Sequence, residues 1–333
     1  MIEGPVQATQ IEAVPHTICP LPRIIGGGAV RRVERSMFKN RQGREKVIRI
    51  FFFFAASISV LTLSMIVLFL FLEGVPIFRH YPFMKFLFGH YWYPTSDPAD
   101  FGIFPLLAAS VAVTVLSAII SIPLGVMTAI YLAEIASVRV RAVFKPVVEL
   151  LAALPSVVIG FFGMVVVAPF LQQTFNLATG LNLFNASLML AFMSVPTICS
   201  ISEDAIFSVP GELKEASLAL GATHWETVFR VIVPASLSGI STAVILGMSR
   251  AIGETMVVLM VAGGAALVPT SLFDPVRPMP ASIAAEMAEA PFRGEHYHAL
   301  FAIGMVLFVF TLMFNVLADH MAQKHKQVGA ATL

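Results

Sequence analysis

Charged residues and cysteines are both scarce in this sequence of 333 residues. Only 12% of the residues are charged, whereas 57% are hydrophobic and phenylalanine alone occurs 28 times. This balance excludes an ordinary soluble globular domain, because such a domain carries about twice that share of charges. The two cysteines, Cys19 and Cys199, have no metal-ligand spacing, so we predict two unpaired thiols and no metal site.

Motifs for nucleotide binding and catalysis are also missing from the sequence. No G-x-x-x-x-G-K-[ST] segment occurs, so the chain lacks the glycine-rich loop that holds the phosphates of ATP. Neither a nucleophile beside a base nor a cluster of metal ligands is evident. We therefore predict a protein that is not itself an enzyme and that holds no cofactor of its own.

Long apolar runs are abundant. A helix needs about 20 mostly apolar residues to cross a bilayer. Because backbone polar groups cannot stay unpaired in hydrocarbon, these runs must be helices, and Pro123, Pro155 and Pro196 should kink them. The predicted fold class is an all-α polytopic membrane protein with six transmembrane helices. The predicted spans are Ile50–Leu72, Phe104–Ala133, Val147–Phe170, Ser187–Ile201, Val231–Ala262 and Ala299–Asp319.

Lysine and arginine are distributed unevenly between the two sides of these spans. Sixteen lie in segments on the side of the N-terminus and four in the opposite loops, with Arg250 inside a span. Positive charge favours the cytoplasmic side, so we predict that both termini are cytoplasmic. The predicted domains are a basic N-terminal tail (1–49), a transmembrane domain (50–320) with a cytoplasmic loop at 203–230, and a C-terminal tail (321–333).

The charge of the N-terminal tail and the aromatic residues of the outer loops have simple interpretations. Topology and attraction to membrane lipid explain the tail better than nucleic-acid binding, since no module that reads nucleic acid accompanies it. Tyr81, Tyr91, Trp92 and Tyr93 have rings that suit a membrane interface, so we predict an aromatic belt, with docking of an external partner as the alternative.

The loop at 203–230 has the signals of two short helices. Pro210 is typical of a helix start and Gly221 of a helix end. Thr223 and Glu226 have the spacing of a capping box, which predicts the start of a second helix. We expect a folded loop on the membrane surface.

The same loop contains Glu215, Ala216 and Ser217, then Gly221 three residues later, then the tetrapeptide VIVP from Val231. This string resembles the EAA motif of ABC importer permeases, E-A-A-x3-G-x9-I-x-L-P, with every spacing kept. The resemblance implies the ABC type I importer permease fold. It also implies that the first four of these residues form the ATPase-coupling site, which docks in a cleft of a separate ATP-binding subunit. Small residues permit close docking, and glycine lets the chain turn where a Cβ would clash.

Arg250 and Glu254 lie inside the fifth predicted span, where each charge costs about 2.5 to 3.5 kcal/mol. At positions i and i+4 they would share one helix face, which Ala243 and Gly247 extend with small side chains. One interpretation is a buried ion pair that holds helices together; the other is a site in a transport pathway. We favour an oxyanion site, because the guanidinium fork matches phosphate oxygens and Glu254 would accept a proton-donating phosphate and repel sulfate.

Two longer segments point to a particular substrate. The segment SRAIGETMVVLMVAGG at 249–264 resembles the equivalent span of phosphate-specific permeases, and ASIAAEMAEA at 281–290 is similar to their C-type subunit. The resemblance implies a permease subunit of the bacterial phosphate ABC importer, in the cell inner membrane. The implied substrate-pathway residues are Gly247, Arg250, Glu254 and Thr255.

The same resemblance implies the partners of the chain. They are an A-type sister permease in a heterodimer, a dimer of ATP-binding subunits that holds ATP and Mg, a periplasmic phosphate-binding protein and inorganic phosphate. Two other functions stay open. A permease for sulfate, molybdate or tungstate would carry the same loop. A secondary anion transporter would work without an ATPase and would not depend on Glu215 and Gly221.

Overall fold

The structure of the protein is a computed structural model that describes the backbone of residues 27–330 and the side chains of residues 48–320. Internal contacts divide the chain into two units, residues 1–65 and 66–333. The first 26 residues, which include Cys19, and the last three lie outside the described residues. Cys199 is buried and is not part of a disulfide.

Helices account for almost all of the regular structure. Strands β1 (Trp92–Tyr93) and β2 (Asp100–Phe101) form one antiparallel pair, in which Trp92 lies opposite Phe101. Three helices are each followed by a π-helical turn: α3 (Phe104–Ile130) by Tyr131–Ile135, α5 (Ser156–Phe162) by Gly163–Val167, and α9 (His224–Thr227) by Val228–Ile232. The elements in chain order are α1 (Gly27–Gly74), a 3-10 helix (Val75–Arg79), α2 (Phe83–Phe88), β1 (Trp92–Tyr93), β2 (Asp100–Phe101), α3 (Phe104–Ile130), α4 (Val138–Ala152), α5 (Ser156–Phe162), α6 (Ala168–Phe175), α7 (Leu183–Phe207), α8 (Gly211–Ala219), α9 (His224–Thr227), α10 (Val233–Ile252), α11 (Met256–Val261), α12 (Met279–Glu286) and α13 (Glu295–Ala330).

Six helical stretches in the described residues are long and apolar enough to cross a membrane, which confirms the predicted number. Residues 27–49 of the predicted N-terminal tail belong to α1, and residues 321–330 of the predicted C-terminal tail belong to α13. The six stretches are Ile48–Arg79, Phe104–Ile135, Ser156–Phe175, Leu183–Phe207, His224–Ile252 and Glu295–His320.

The third span begins later than predicted. The prediction of a helix from Val147 is wrong, because α4 ends at Ala152 and a new helix begins at Ser156. Pro155 is the N-cap of that new helix rather than an interior residue. A residue before proline avoids the helical conformation, which explains the break at Leu154. Pro123 and Pro196 do lie inside α3 and α7, as predicted.

The helix α7 lies at the centre of the bundle. Of the residues in its most apolar 18-residue stretch, 61% are buried. The helix packs mainly against α3 and α10. Ile198, which has no exposed surface, lies between a glycine of each neighbour. A Cβ built on Gly125 of α3 or on Gly247 of α10 would come within 2.8 or 2.6 Å of the Ile198 side chain. The two glycines therefore allow the close helix approach that membrane bundles use.

A buried ion pair attaches α4 to the end of α7. Glu203 is 1% exposed, and its Oε1 atom lies 2.9 Å from Nε and 2.8 Å from Nη2 of Arg141. The Arg141 guanidinium also lies 3.5 Å from the centre of the Phe207 ring. Lys145 contacts Asp204 at 3.0 Å, and this hydrogen bond raises the pKa of its ammonium group. α4 has no buried residue of its own, so these polar contacts, together with the packing of Val148 against a hydrophobic cluster, hold it in place.

A second polar cluster lies at the opposite end of the bundle, around Glu286 of α12. Its carboxylate accepts hydrogen bonds of 3.0 and 3.1 Å from the indole N–H of Trp92, and it contacts His296 at 2.9 Å. Arg277 forms an ion pair with it as well. These residues line a cleft of about 630 Å³.

This cluster corrects the predicted aromatic belt. Trp92 is 3% exposed and Tyr81 is 8% exposed, so both belong to the protein interior. Tyr91 and Tyr93 are exposed and stack on one another. Only this second pair is placed where a membrane interface or an external partner could reach it.

Candidate functional site

The predicted fifth span, Val231–Ala262, is interrupted after Ile252. The helix α10 ends at Ile252, and α11 begins at Met256 after a short non-helical segment. The carboxylate of Glu254 accepts hydrogen bonds from the backbone N–H groups of Met256 and Val257, at 3.2 and 3.3 Å. The first N–H groups of a helix have no partner within it, so Glu254 caps α11. The prediction of one continuous helix from Val231 to Ala262 is wrong.

Arg250 consequently lies in the last turn of α10 and not near the middle of a span. It is exposed, and within the described part of the chain its side chain forms no ion pair. A cation is favoured at a helix C-terminus and an anion at a helix N-terminus, so the interruption stabilises Arg250 and Glu254 separately. The expectation that they share one helix face is therefore not met.

The other two predicted pathway residues differ in position. Thr255 is partly exposed beside Glu254, and its hydroxyl lies 3.4 Å from the carbonyl oxygen of Gly253. Gly247 is buried against Ile198, so within this chain it is a packing residue. Arg250, Glu254 and Thr255 thus reach the surface around the interruption, and Gly247 does not.

Neighbouring helices fix both sides of the interruption. Ser249, next to Arg250, donates a hydrogen bond to the side chain of Asn315 on α13. On the other side, α11 packs against α5, where a Cβ built on Gly160 would lie 3.2 Å from the Cα of Val257. The two charged residues are therefore held by different parts of the bundle.

The segment that we call the EAA-like loop (203–230) begins in the last turn of α7, which extends to Phe207. It contains α8 as predicted. The second predicted short helix is not separate, because α9 continues through a π-helical turn into α10 as the fifth span, His224–Ile252. α8 follows Pro210, Gly221 follows its end with φ +87°, and α9 begins at Thr223. The predicted capping box is present: Thr223 and Glu226 each accept a hydrogen bond from the backbone N–H of the other. Local signals were sufficient to predict where α8 and α9 begin, but not that α9 continues into the span.

The four predicted coupling residues lie together on this loop. Glu215, Ala216 and Gly221 are exposed, and the hydroxyl of Ser217 lies 3.0 Å from the hydroxyl of Thr227. A Cβ added to Gly221 would meet no atom within 4 Å. The glycine is needed for its positive φ and not, as expected, to avoid a clash.

Large apolar side chains surround these residues. Leu220 is 90% exposed, and Trp225 and Phe229, which stack on one another, are more than half exposed. A group of exposed apolar side chains on a projecting loop is typical of a protein interface. Three of the coupling residues thus lie on a surface that another protein can reach.

Replacing Gly221 by alanine is expected to destabilise the EAA-like loop by about 1 to 2 kcal/mol, because an L side chain is disfavoured at this positive φ. Amide hydrogen exchange over residues 211–227 should become faster. Asparagine, which tolerates positive φ better, should have a smaller effect. Gly211→Ala is the matched control, since a Cβ there also meets no atom within 4 Å and its φ is not positive. Equal exchange in the two alanine variants would contradict the explanation.

Sequence reasoning missed the ion pairs. Glu134 pairs with Lys214, Arg141 with Glu203, and Arg277 with Glu286. The first two pairs join residues that are 80 and 62 positions apart in the sequence, so no local spacing predicts them. No group of three or more potential metal ligands is present among the described residues.

The fold and the site define a polytopic helical membrane protein with an interrupted span and a projecting loop that carries an EAA-like sequence. Residues 121–327 match the family described as the inner membrane component of binding-protein-dependent transport systems. The chain belongs to this family, which confirms the resemblance predicted from its motifs, and it is a multi-pass protein of the inner membrane.

Several relatives match most of the chain. The probable ABC transporter permease protein YqgH of Bacillus subtilis (strain 168) is 40% identical over 243 residues, which cover 73% of this chain and 79% of that protein. The phosphate transport system permease protein PstC of Mesorhizobium japonicum is 36% identical over 260 residues, which cover 72% and 78%. PstC of Haemophilus influenzae is 35% identical, with 73% and 82% covered.

Solved structures agree on the fold. A chain of a bacterial ABC transporter involved in the import of the acidic polysaccharide alginate matches 85% of this chain and 99% of its own length, with a TM-score of 0.58 and 16% identity. A chain of the inward-facing MetNI methionine ABC transporter matches 67% and 94%, with a TM-score of 0.51 and 20% identity. The predicted ABC type I importer permease fold is confirmed.

Proposed function

We propose that this chain is the transmembrane permease subunit of an ATP-driven phosphate importer and forms half of its translocation pathway. The observation that carries the proposal is Arg250, an exposed arginine without an ion pair among the described residues, at the interruption of a span. It occurs in a chain whose relatives include phosphate transport permeases. Both termini face the cytoplasm, as the distribution of lysine and arginine indicates.

The chemistry of the interruption suits phosphate. The guanidinium of Arg250 can donate two parallel hydrogen bonds to phosphate oxygens, and the hydroxyl of Thr255 can donate or accept one. Glu254 is negative when ionised and can accept a hydrogen bond from a protonated phosphate, whereas sulfate at neutral pH carries no proton to donate. Since a transport site must also release its ion, we expect weak binding.

The EAA-like loop is the proposed contact with a separate ATPase. Glu215, Ala216 and Gly221 are exposed on it, and Ser217 fixes α8 to the following helix. In this arrangement a dimer of ATP-binding subunits holds ATP and Mg, and this chain hydrolyses nothing itself. An A-type sister permease completes the pathway as a heterodimer, and a periplasmic phosphate-binding protein delivers the substrate.

The test is ATP-dependent uptake of labelled phosphate by proteoliposomes that contain this chain, a sister permease, the ATPase and the binding protein. Uptake should be inhibited by phosphate analogues and not by sulfate, molybdate or tungstate. Strong inhibition by one of those anions would identify it as the substrate. Uptake without ATP would instead indicate a secondary transporter.

Replacing Glu254 by glutamine is expected to reduce the preference for phosphate over sulfate by about tenfold, since a repulsion worth about 1.4 kcal/mol is removed. The glutamine carbonyl can still accept the hydrogen bonds from the N–H groups of Met256 and Val257, so α11 should keep its cap. Competition between labelled phosphate and sulfate measures the effect. Unchanged discrimination would remove Glu254 from the selectivity mechanism.

A further inference from the structure

The helix α8 of the EAA-like loop is weakly attached to the rest of the chain. It has no buried residue, and in the described part of the chain its side chains make two polar contacts outside the helix. Ser217 contacts Thr227 at 3.0 Å, which joins α8 to α9, the first turn of the fifth span. Lys214 forms an ion pair with Glu134, which lies outside the loop.

Glu134 belongs to the firmly packed end of the second span. It lies in the π-helical turn Tyr131–Ile135, which continues α3. Its neighbour Leu132 is 1% exposed and shares a hydrophobic cluster with Val228 and Ile232. The Glu134 side chain itself is 11% exposed, and that of Lys214 is 38% exposed. The pair thus connects a projecting helix to a packed span.

We propose that the Lys214–Glu134 ion pair is a positioning contact that passes movement of α8 to the second span. The inference rests on the proposed function, in which an ATPase docks on α8. The Ser217 contact leads instead to the fifth span, of which α9 is the first turn, and so it does not reach the second span. A nearly buried carboxylate also needs a charged partner, so the pair holds a defined geometry better than an exposed pair does.

Charge reversal tests this inference in the complete transporter. Lys214→Glu and Glu134→Lys each place two like charges together, and the double variant restores opposite charges. We expect each single variant to lower the phosphate taken up per ATP hydrolysed by about tenfold, and the double variant to recover most of the loss. Glu149→Lys is the control, because Glu149 is exposed on α4 and the described structure gives it no ion pair.

Amide hydrogen exchange over residues 211–219 gives a second measurement that needs no transported ion. Each single variant should exchange faster, and the double variant should return to the original rate. Faster exchange with unchanged uptake per ATP would overturn the inference, since the contact would then be structural only. Failure of the double variant to restore uptake and exchange would overturn it as well.

The failure of the proposed function is a separate outcome of the same experiment. If the unaltered complex takes up no phosphate, the proposed function is wrong. The inference is then judged on exchange alone. Faster exchange in the single variants with recovery in the double variant supports it, and unchanged exchange overturns it.

Discussion

Replacing Arg250 by alanine is expected to lower ATP-dependent phosphate uptake by about 100-fold, because the loss of charge-assisted hydrogen bonds to the anion is worth about 3 kcal/mol. The assembled complex should remain intact, since this side chain is exposed and forms no ion pair in the described part of the chain. Uptake of labelled phosphate by proteoliposomes, compared with ATP hydrolysis by the same sample, measures the effect.

Two further variants separate the charge of Arg250 from its shape. Arg250→Lys keeps the charge and loses the planar fork, so its uptake should lie between those of the original protein and the alanine variant. Arg79→Ala is the control, because Arg79 is also exposed and also without an ion pair among the described residues. Full uptake by the Arg250→Ala complex would exclude a direct role for this arginine in the pathway.

Replacing Arg141 by alanine is expected to lower the free energy of unfolding by about 3 to 5 kcal/mol, since it leaves the charge of Glu203 buried without its closest partner. Lys145, 3.5 Å from Glu203, offsets only part of this loss. Thermal unfolding of the purified chain in detergent should show a large decrease of Tm.

The adjacent carboxylate provides the control for this prediction. The side chain of Asp204 is 67% exposed and contacts Lys145, so Asp204→Ala should cost less than about 1 kcal/mol. Replacing Arg141 and Glu203 together by methionine and leucine should recover much of the stability, because no buried charge is then left alone. Equal loss in the Arg141→Ala and Asp204→Ala variants would show that burial of Glu203 is not the cause.

The number of spans could be predicted from the sequence because length and apolarity alone decide it. The ends of the third and fifth spans could not. The apolar run continues through Leu154 and through Ile252, so hydrophobicity carries no signal there. The C-cap of α10 is Gly253, but a single glycine is tolerated in many helices and predicts no end by itself. Glu254 then caps α11 as the start of a new helix.

In the EAA-like loop, too, features set by neighbouring residues could be predicted, whereas contacts between distant residues could not. The bounds of α8 and the start of α9 follow from Pro210, Gly221 and the capping box, which act within a few residues. The attachment of the loop to the second span depends on Glu134, which is 80 positions from Lys214. Such a pair becomes visible only when the fold brings both residues to the same end of the bundle.

The interruption divides the predicted fifth span into two helices with partly different supports. α10 rests on α7 and α13, whereas α11 rests mainly on α5, with smaller contacts to α7 and α12. A small rotation of α10 can therefore change the separation of Arg250 and Glu254 without unfolding either helix. In the proposed pathway, the interaction energy between charges falls with distance, so that separation would set how strongly an anion is attracted by Arg250 and repelled by Glu254. The same two side chains would then both capture and release the ion.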